Sequence, residues 1–343
     1  MTKSDRSNPP AATITPTQAS AKSILAWRIV RPLGVVILLT TQVVLAELSL
    51  GRENPTVDEV AHLPAGVTYL EKGTFRLYPH NPPLVKLIAA APVVWSKPNT
   101  EQLYQQKSWS SSSPSHPTFS QSFARLNIDR YFELFHSARM LMPAFLVLGG
   151  LVVYLWASRL HGHWGGFLSL TLWTFCPNLL AHGRLITTDA GSAALGVAAT
   201  YVFWRYMQQA DWKWAVAAGV ALGLAQITKF SMLVLLVIWP FLWLVRLTLD
   251  SPRTDWLGRV VRTIPHVLLI LVLTILVIDL GYRFEGVGQR LGDFEFASGF
   301  LTRRVAEGTP RPRSENDLLN IAWHFRVNRF RGTFLERLPV PLP

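Results

Sequence analysis

Apolar residues along this 343-residue chain gather into seven long runs that contain no Asp, Glu, Lys or Arg. No strand-like alternation of apolar and polar positions recurs, and a backbone that crosses lipid must satisfy its hydrogen bonds internally, as a helix does. The pattern therefore predicts seven membrane-spanning helices, the shorter of which are extended by flanking basic residues that reach the interface. The runs are 32–46, 140–158, 160–183, 190–204, 214–228, 230–245 and 263–278.

The polar segments divide the chain into a tail, a membrane domain and two long loops. Residues 1–28 are rich in Ser, Thr, Pro and Ala, which predicts a flexible tail. Most basic residues of the short loops follow the second, fourth and sixth runs, and this bias places the N-terminus in the cytoplasm of a cell membrane. The membrane domain then covers 29–282, and loop 47–138 and the Arg-rich segment 283–343 lie on the outer side.

The first long loop contains two predicted helices. Residues 57–72 form one, and residues 83–96 form a second that opens on two prolines. The second helix is apolar but too short to span a bilayer comfortably, so we expect it to lie on the membrane surface. The fold class predicted from these elements is an all-α multi-pass membrane protein.

Composition supports this class and excludes others. Charged residues make up 16% of the chain and hydrophobic residues 50%, which excludes a wholly disordered chain and a coiled coil. The only cysteine, Cys176, excludes an internal disulfide and a cysteine-based metal cage. The net charge of +12 is scattered among membrane loops, which favours anionic membrane lipid over nucleic acid as a partner.

The first candidates for chemistry follow the first apolar run. Asp58 and Glu59 are adjacent, and His62 follows one turn later. On a helix Asp58 and His62 share a face, whereas Asp58 and Glu59 diverge by about 100° and so have different roles. Structural interpretations also stay open: Thr56 and Glu59 fit a capping box, and Asp58 fits an exposed first-turn acid that favours the helix dipole.

Four further polar residues lie next to apolar runs at the same predicted membrane face. Lys86 belongs to the short second helix, where a lysine either reaches to the interface or neutralises a lipid phosphate. Arg184 and Asp189 flank a turn, and Asp189 could also cap the helix that follows. Lys229 lies in a tight turn within an apolar context that few lysines occupy without a partner.

The order of these motifs resembles the dolichyl-phosphate-mannose–protein mannosyltransferase family (glycosyltransferase family 39), from about residue 29 to 281. The first outer loop has Asp58-Glu59, His62, Gly66, Tyr69, Gly73 and then Asn81-Pro82-Pro83-Leu84-x-Lys86. Two later turns, Thr187-Thr188-Asp189-Ala190 and Thr228-Lys229-Phe230-Ser231, match the family's later motifs. The resemblance implies the GT-C architecture, a helical bundle with long outer loops that bear interfacial helices.

The resemblance also implies an activity. A mannose-like sugar would move from a polyprenyl-phosphate donor to a protein or lipid acceptor on the outer face, with Asp58 as the base. Glu59 and His62 would position Asp58 or the acceptor, and Lys86, Lys229 and, more weakly, Arg184 would bind the leaving phosphate. No cofactor is firmly expected, although a divalent cation held by Asp58 and Asp189, with Glu59 nearby, is an open alternative.

The chain departs from the family at its end, because members continue with further spans where this sequence stops in the second long loop. We therefore expect a fragment, a truncated product, or a non-catalytic subunit derived from such an enzyme. A membrane transporter or lipid flippase is the other alternative. It predicts acids buried in mid-span, whereas the polar candidates here gather at one membrane face.

Overall fold

The computed structural model describes residues 18–48, 54–106, 109, 116–250, 256–294, 296, 299–304 and 326–343. Residues 1–17 of the predicted tail and 305–325 of the Arg-rich segment therefore lie outside the described part. The described chain is helical apart from one short strand pair, which confirms the predicted all-α membrane class. The helices are α1 Gln18–Leu48, α2 Val57–Lys72, α3 Leu84–Trp95, α4 Glu101–Tyr104, α5 His116–Leu126, α6 Tyr131–Arg139, α7 Pro143–Thr174, α8 Pro177–His182, α9 Thr188–Gln208, α10 Trp212–Gln226, α11 Leu235–Asp250 and α12 Trp256–Gly281.

Four short 3-10 segments and two strands complete the described elements. The strands β1 (Thr302–Arg304) and β2 (Arg326–Asn328) pair antiparallel, with Thr302 opposite Asn328. The 3-10 segments are Ile128–Arg130, Phe230–Val234, Leu291–Asp293 and Phe334–Arg337. The last of them packs on the third, so the end of the chain folds back on the segment that follows α12.

Four described segments are long and apolar enough to cross a membrane, namely Arg28–Leu48, Ile128–Thr174, Phe230–Leu249 and Leu257–Gly281. The apolar runs 190–204 and 214–228 fall in α9 and α10, which have 21 and 15 residues. The chain is therefore a multi-pass membrane protein, and the count of seven spans stays a prediction.

Helix α7 combines two of the predicted runs, but it is broken at Gly162. This glycine has φ 74° and ψ 177°, a conformation that side-chain-bearing residues rarely adopt. The break lies within the short loop Arg159–Trp164 that the sequence predicts at the junction of these runs. Just after it, His163 Nε2 lies 2.6 Å from Arg31 Nη1 of α1, so the break is joined to the first span.

Helices α9, α10 and α12 pack closely because α10 presents glycines to α12. A Cβ atom at Gly219 would lie 2.9 Å from the carbonyl oxygen of Ile270, and one at Gly223 would lie 3.0 Å from that of Thr274. Small residues four apart let helix backbones approach in a membrane. This packing fixes the start of α9 and the end of α10, where two of the predicted motifs lie.

Helices α2 and α3 of the first outer loop form a tight pair. Helix α2 coincides with the predicted 57–72 segment, and α3 falls within the predicted 83–96 segment. A Cβ atom at Gly66 would lie only 2.2 Å from the carbonyl oxygen of Lys86, so the two backbones touch there. Trp95 at the end of α3 is 89% exposed, while one face of α3 is buried. The location of α3 on the membrane surface stays a prediction.

Candidate active site

The start of α2 is held by a capping box and a buried ion pair. Thr56 donates its backbone N–H to Glu59 Oε2 at 2.8 Å, as the capping interpretation predicts. Arg139, at the end of α6, binds the same carboxylate through two hydrogen bonds, Nε to Oε1 at 2.7 Å and Nη2 to Oε2 at 2.6 Å. Both side chains are almost fully buried. Glu59 is therefore an anchor between two helices, with its carboxylate already occupied.

The carboxylate of Glu59 also binds the turn before α9. The backbone N–H of Ile186 donates to Glu59 Oε1 at 3.0 Å. Burial acts to raise the pKa of Glu59, but the hydrogen bonds from Arg139, Thr56 and Ile186 outweigh it and hold that pKa below its ordinary value. Glu59 therefore stays ionised, and it links the start of α2 to the turn that precedes α9.

His62 makes a second link to the same turn. Its Nδ1 lies 2.6 Å from the carbonyl oxygen of Ile186, and its Nε2 lies 3.3 Å from the side-chain amide of Asn81. A ring that donates from Nδ1 to this carbonyl and accepts at Nε2 is neutral. Burial lowers the pKa of His62, which favours that neutral form. His62 therefore orients the turn and the Asn81 loop around α2.

Asp58 differs from its two neighbours because its side chain points out of this network. The residue is exposed at the first turn of α2, where the helix dipole favours a negative charge. Among the described residues, none makes a hydrogen bond to its carboxylate. Burial raises the pKa of the Tyr78 phenol, and the nearby charge of Asp58 raises it further. Asp58 is thus an exposed carboxylate on an anchored helix.

Tyr78 belongs to an aromatic surface next to Asp58. Its ring meets that of His80 at a centroid distance of 5.2 Å and that of His116 at 4.8 Å, both edge to face. Burial lowers the pKa values of both histidines, which favours neutral rings. Neutral imidazoles and a phenol offer hydrogen bonds and flat faces, the chemistry that suits a polar acceptor. The sequence motifs did not indicate this surface.

Lys86 does not reach the surface of the protein. Its side chain is fully buried, and its ammonium donates to the Tyr69 hydroxyl at 2.9 Å and to the carbonyls of Tyr78 and Asn81 at 2.7 Å each. Three acceptors match the three N–H groups of an ammonium. Lys86 therefore holds the loop 78–81 from the interior of the protein, because α3 turns this position toward α2. This position differs from the predicted one beside a lipid phosphate.

Asp189 and Lys229 form an ion pair at the start of α9. The Lys229 ammonium donates to Asp189 Oδ1 at 2.7 Å, and about a third of the lysine side chain is exposed. Burial acts to raise the pKa of Asp189, but Lys229 outweighs it and lowers that pKa below its ordinary value. The partner that the apolar context of Lys229 led us to expect is therefore Asp189.

The turn that contains Lys229 is joined directly to the loop that precedes α3. The N–H of Leu84 donates to the carbonyl oxygen of Ile227 at 3.0 Å, just before Lys229. Thr228 and Val85 also converge on Gly191, where a Cβ atom would lie 3.1 Å from a methyl of each. The structure thus brings the three motifs to one region through backbone contacts. Arg184, partly exposed, lies in the turn between them and donates from Nε to the carbonyl oxygen of Ala181.

The acids do not form a set of metal ligands. In the described part of the chain, no three residues among His, Cys, Asp and Glu lie close enough together to hold a metal ion. Asp189 instead binds the ammonium of Lys229, and His182 Nδ1 lies 3.9 Å from its other oxygen. A divalent cation on Asp58 and Asp189 stays a prediction that this geometry does not support.

Residues 126–280 match the family model described as dolichyl-phosphate-mannose-protein mannosyltransferase. This stretch of the chain is therefore similar to that family. The match, somewhat less than half of the chain, includes Arg139, Asp189 and Lys229, but not α2 and α3. Neither the curated proteins nor the solved structures contain a match to the chain.

The match agrees with the resemblance inferred from the motifs. Two of the three motifs fall within the matched residues 126–280, and the Asp58 motif precedes them. The first motif is nevertheless tied to that region by Glu59, which binds Arg139 and Ile186. Arg139 was not indicated by the motifs; its only signal in the sequence is a lone charge next to the run 140–158.

Proposed function

We propose that the chain transfers a mannose-like sugar from a polyprenyl phosphate to a hydroxyl of a protein or lipid acceptor on the outer membrane face. The acceptor oxygen would attack the anomeric carbon, its proton would pass to a base, and the bond from that carbon to the phosphate oxygen would break. Such a displacement needs a base beside the acceptor and cationic groups beside the leaving phosphate. The match of residues 126–280 to the mannosyltransferase family supports this reaction class.

Asp58 is our candidate for the base, and its exposed carboxylate on an anchored helix is the observation that carries the proposal. Glu59, the adjacent acid, is saturated by Arg139, Thr56 and Ile186, so it has no lone pair to spare for a substrate proton. Positioning by a rigid support is what makes a general base effective. Glu59 and His62 therefore act on the reaction through Asp58 and its surroundings.

Lys229 is our candidate for the contact to the leaving phosphate. Arg184, in the turn before α9, is the weaker candidate. Lys229 is partly exposed and held by Asp189, so its ammonium is already oriented before the donor arrives. A doubly charged leaving phosphate attracts this ammonium more strongly than a single carboxylate does. Lys86 supports the loop and does not belong to this group, because its three hydrogen bonds face inward.

The test replaces Asp58 with Asn in the full chain and measures transfer of labelled mannose from a polyprenyl-phosphate donor to a peptide in liposomes. Removal of a general base lowers turnover by about 10²- to 10⁴-fold, and we expect a loss in that range. Asp58→Glu keeps the carboxylate and should retain more activity than Asp58→Asn. Asp129→Asn is the matched control, since Asp129 is also an exposed first-turn acid of this loop. Equal turnover in wild type and Asp58→Asn would refute the role of Asp58.

A further inference from the structure

A cavity of about 380 Å³ lies between the end of α9, the end of α11 and the start of α12. Its polar lining includes three arginines, Arg246 of α11 and Arg259 and Arg262 of α12, together with Tyr206 and His266. No Asp or Glu is among the described residues that line it. Three guanidinium groups therefore gather at one cavity, a lining that suits an anion with several oxygen atoms.

This cavity is at the opposite end of the helices from the candidate active site. On α9, Asp189 lies in the first turn and Tyr206 in the last, a separation of about 26 Å along the axis. On α12, Gly281 packs against Ile227 beside Lys229, whereas Arg259 and Arg262 lie near its start. The distance is close to the hydrocarbon thickness of a bilayer, about 30 Å. The two sites therefore belong to opposite membrane faces.

An apolar groove continues from the arginine cavity toward the middle of the helices. It has a volume of about 290 Å³ and shares Tyr206, Trp243 and Thr263 with the cavity. Trp239, Val267 and Leu271 line it farther along α11 and α12. Both helices are candidate membrane spans, so the groove opens among lipid chains. A cationic end joined to an apolar groove of this kind matches a lipid with a charged head and a hydrocarbon tail.

We propose that this cavity and groove bind an anionic glycerophospholipid of the membrane, with its phosphate held by Arg246, Arg259 and Arg262 and one acyl chain along Trp239 and Val267. Guanidinium groups match phosphate oxygens in a two-pronged geometry, and basic pockets between spanning helices bind anionic head groups. The charge excludes a zwitterionic lipid as the preferred occupant, and the groove distinguishes a lipid from free phosphate. The bound lipid would join α11 to α9 and α12.

The test measures lipid retention by native mass spectrometry on the full chain, purified in detergent and titrated with phosphatidylglycerol or phosphatidylcholine of the same chain length. We expect phosphatidylglycerol to bind more tightly than phosphatidylcholine. Arg259→Gln should weaken phosphatidylglycerol binding by about fivefold, since one basic residue contributes about 1 kcal/mol to anionic-lipid attraction. Arg28→Gln is the matched control, an exposed arginine of α1 outside the cavity, and should leave binding unchanged.

Two further arms distinguish a lipid site from a site for any small anion. Val267→Trp fills the groove but keeps every arginine, so it should weaken phosphatidylglycerol binding while the melting temperature of the lipid-free chain is retained. Inorganic phosphate at millimolar concentration should neither displace the lipid nor raise the melting temperature as the lipid does. Equal retention of both lipids, equal effects of Arg28→Gln and Arg259→Gln, or stabilisation by phosphate alone would each overturn the proposal.

Discussion

At the scale of single residues, adjacent side chains in the Asp58 motif have opposite environments. Glu59 is fully buried and has an arginine and two backbone N–H groups as partners, while Asp58, one position earlier, is exposed. The divergence of about 100° between neighbouring helix positions produces this contrast. One carboxylate anchors the helix and the other is exposed to solvent.

The buried pair of Glu59 and Arg139 gives the first prediction at this scale. Arg139→Met leaves the Glu59 carboxylate buried without its cation, which should lower the free energy of unfolding by about 3–5 kcal/mol. Thermal unfolding in detergent, followed by tryptophan fluorescence, measures the effect. Arg130→Met is the control, because Arg130 pairs with Glu133 on the surface and such pairs contribute about 1 kcal/mol or less. Equal losses for the two variants would contradict the anchoring role of Glu59.

Lys86 gives a prediction about pH. Burial lowers the pKa of Lys86 from 10.5 to about 7. Between these pH values the unfolded chain keeps a proton that the folded chain releases, so the unfolded state binds more protons. The free energy of unfolding should therefore rise with pH across this window, by up to about 1.4 kcal/mol per pH unit for one proton.

Denaturation at a series of pH values between 7 and 10.5 checks this, with wild type compared to Lys86→Met. The variant should lack the part of the rise that Lys86 causes, and it should also be less stable because three acceptors lose their donor. Lys213→Met, at an exposed lysine, should keep the wild-type slope. A slope that is the same in wild type and Lys86→Met would refute a lowered pKa.

At the scale of elements, the site depends on the approach of α2 to α3. Gly66 lets the two backbones touch, and this contact places Lys86 under the loop 78–81. The short helix α3 was predicted as an apolar helix on the membrane surface, and its apolar residues gave no sign of which face would pack on α2. Its lysine resembles a surface residue in the sequence, because burial of Lys86 depends on acceptors supplied by Tyr69 of α2 and by the loop 78–81.

A glycine comparison tests the α2–α3 contact. Gly66→Ala should lower the free energy of unfolding by about 1–3 kcal/mol, because its Cβ would lie 2.2 Å from the Lys86 carbonyl oxygen and force the helices apart. Gly196→Ala is the matched helical control, since the nearest atom there is the flexible Met232 sulfur at 3.1 Å. Alanine favours a helix over glycine by about 1 kcal/mol, so Gly196→Ala should be neutral or stabilising. A Gly66→Ala variant as stable as wild type would show that the contact is loose.

At the scale of the whole molecule, the sequence was sufficient to predict the helical membrane class. Charge-free runs indicated the membrane helices, and the turns with Asp189 and Lys229 were expected at the same face as Asp58. The pairings across that face could not be predicted, since Arg139 and Ile186 reach Glu59 from 80 and 127 positions away along the chain. Arg139 has no distinctive neighbours in sequence, and the three arginines of the opposite face look like ordinary loop charges until α9, α11 and α12 bring them together.

The molecule has two ends with different chemistry. One end has Asp58 on an anchored helix and, in a separate turn, the Asp189–Lys229 pair, and the other end has the arginine cavity. We propose sugar transfer at the first end and lipid binding at the second. The two proposals are independent, because none of the described residues that line the arginine cavity belongs to the hydrogen-bond network around Asp58.

The most direct test of the central claim measures donor binding and single-turnover transfer on the same preparation of the Asp58→Asn variant. A polyprenyl-phosphate-mannose donor carrying a fluorescent label reports binding, and rapid quenching reports mannose transfer. If Asp58 is the base, donor affinity stays near that of wild type while the transfer rate falls by about 10²- to 10⁴-fold. A transfer rate equal to that of wild type, or a loss of transfer fully explained by lost donor binding, would contradict the account.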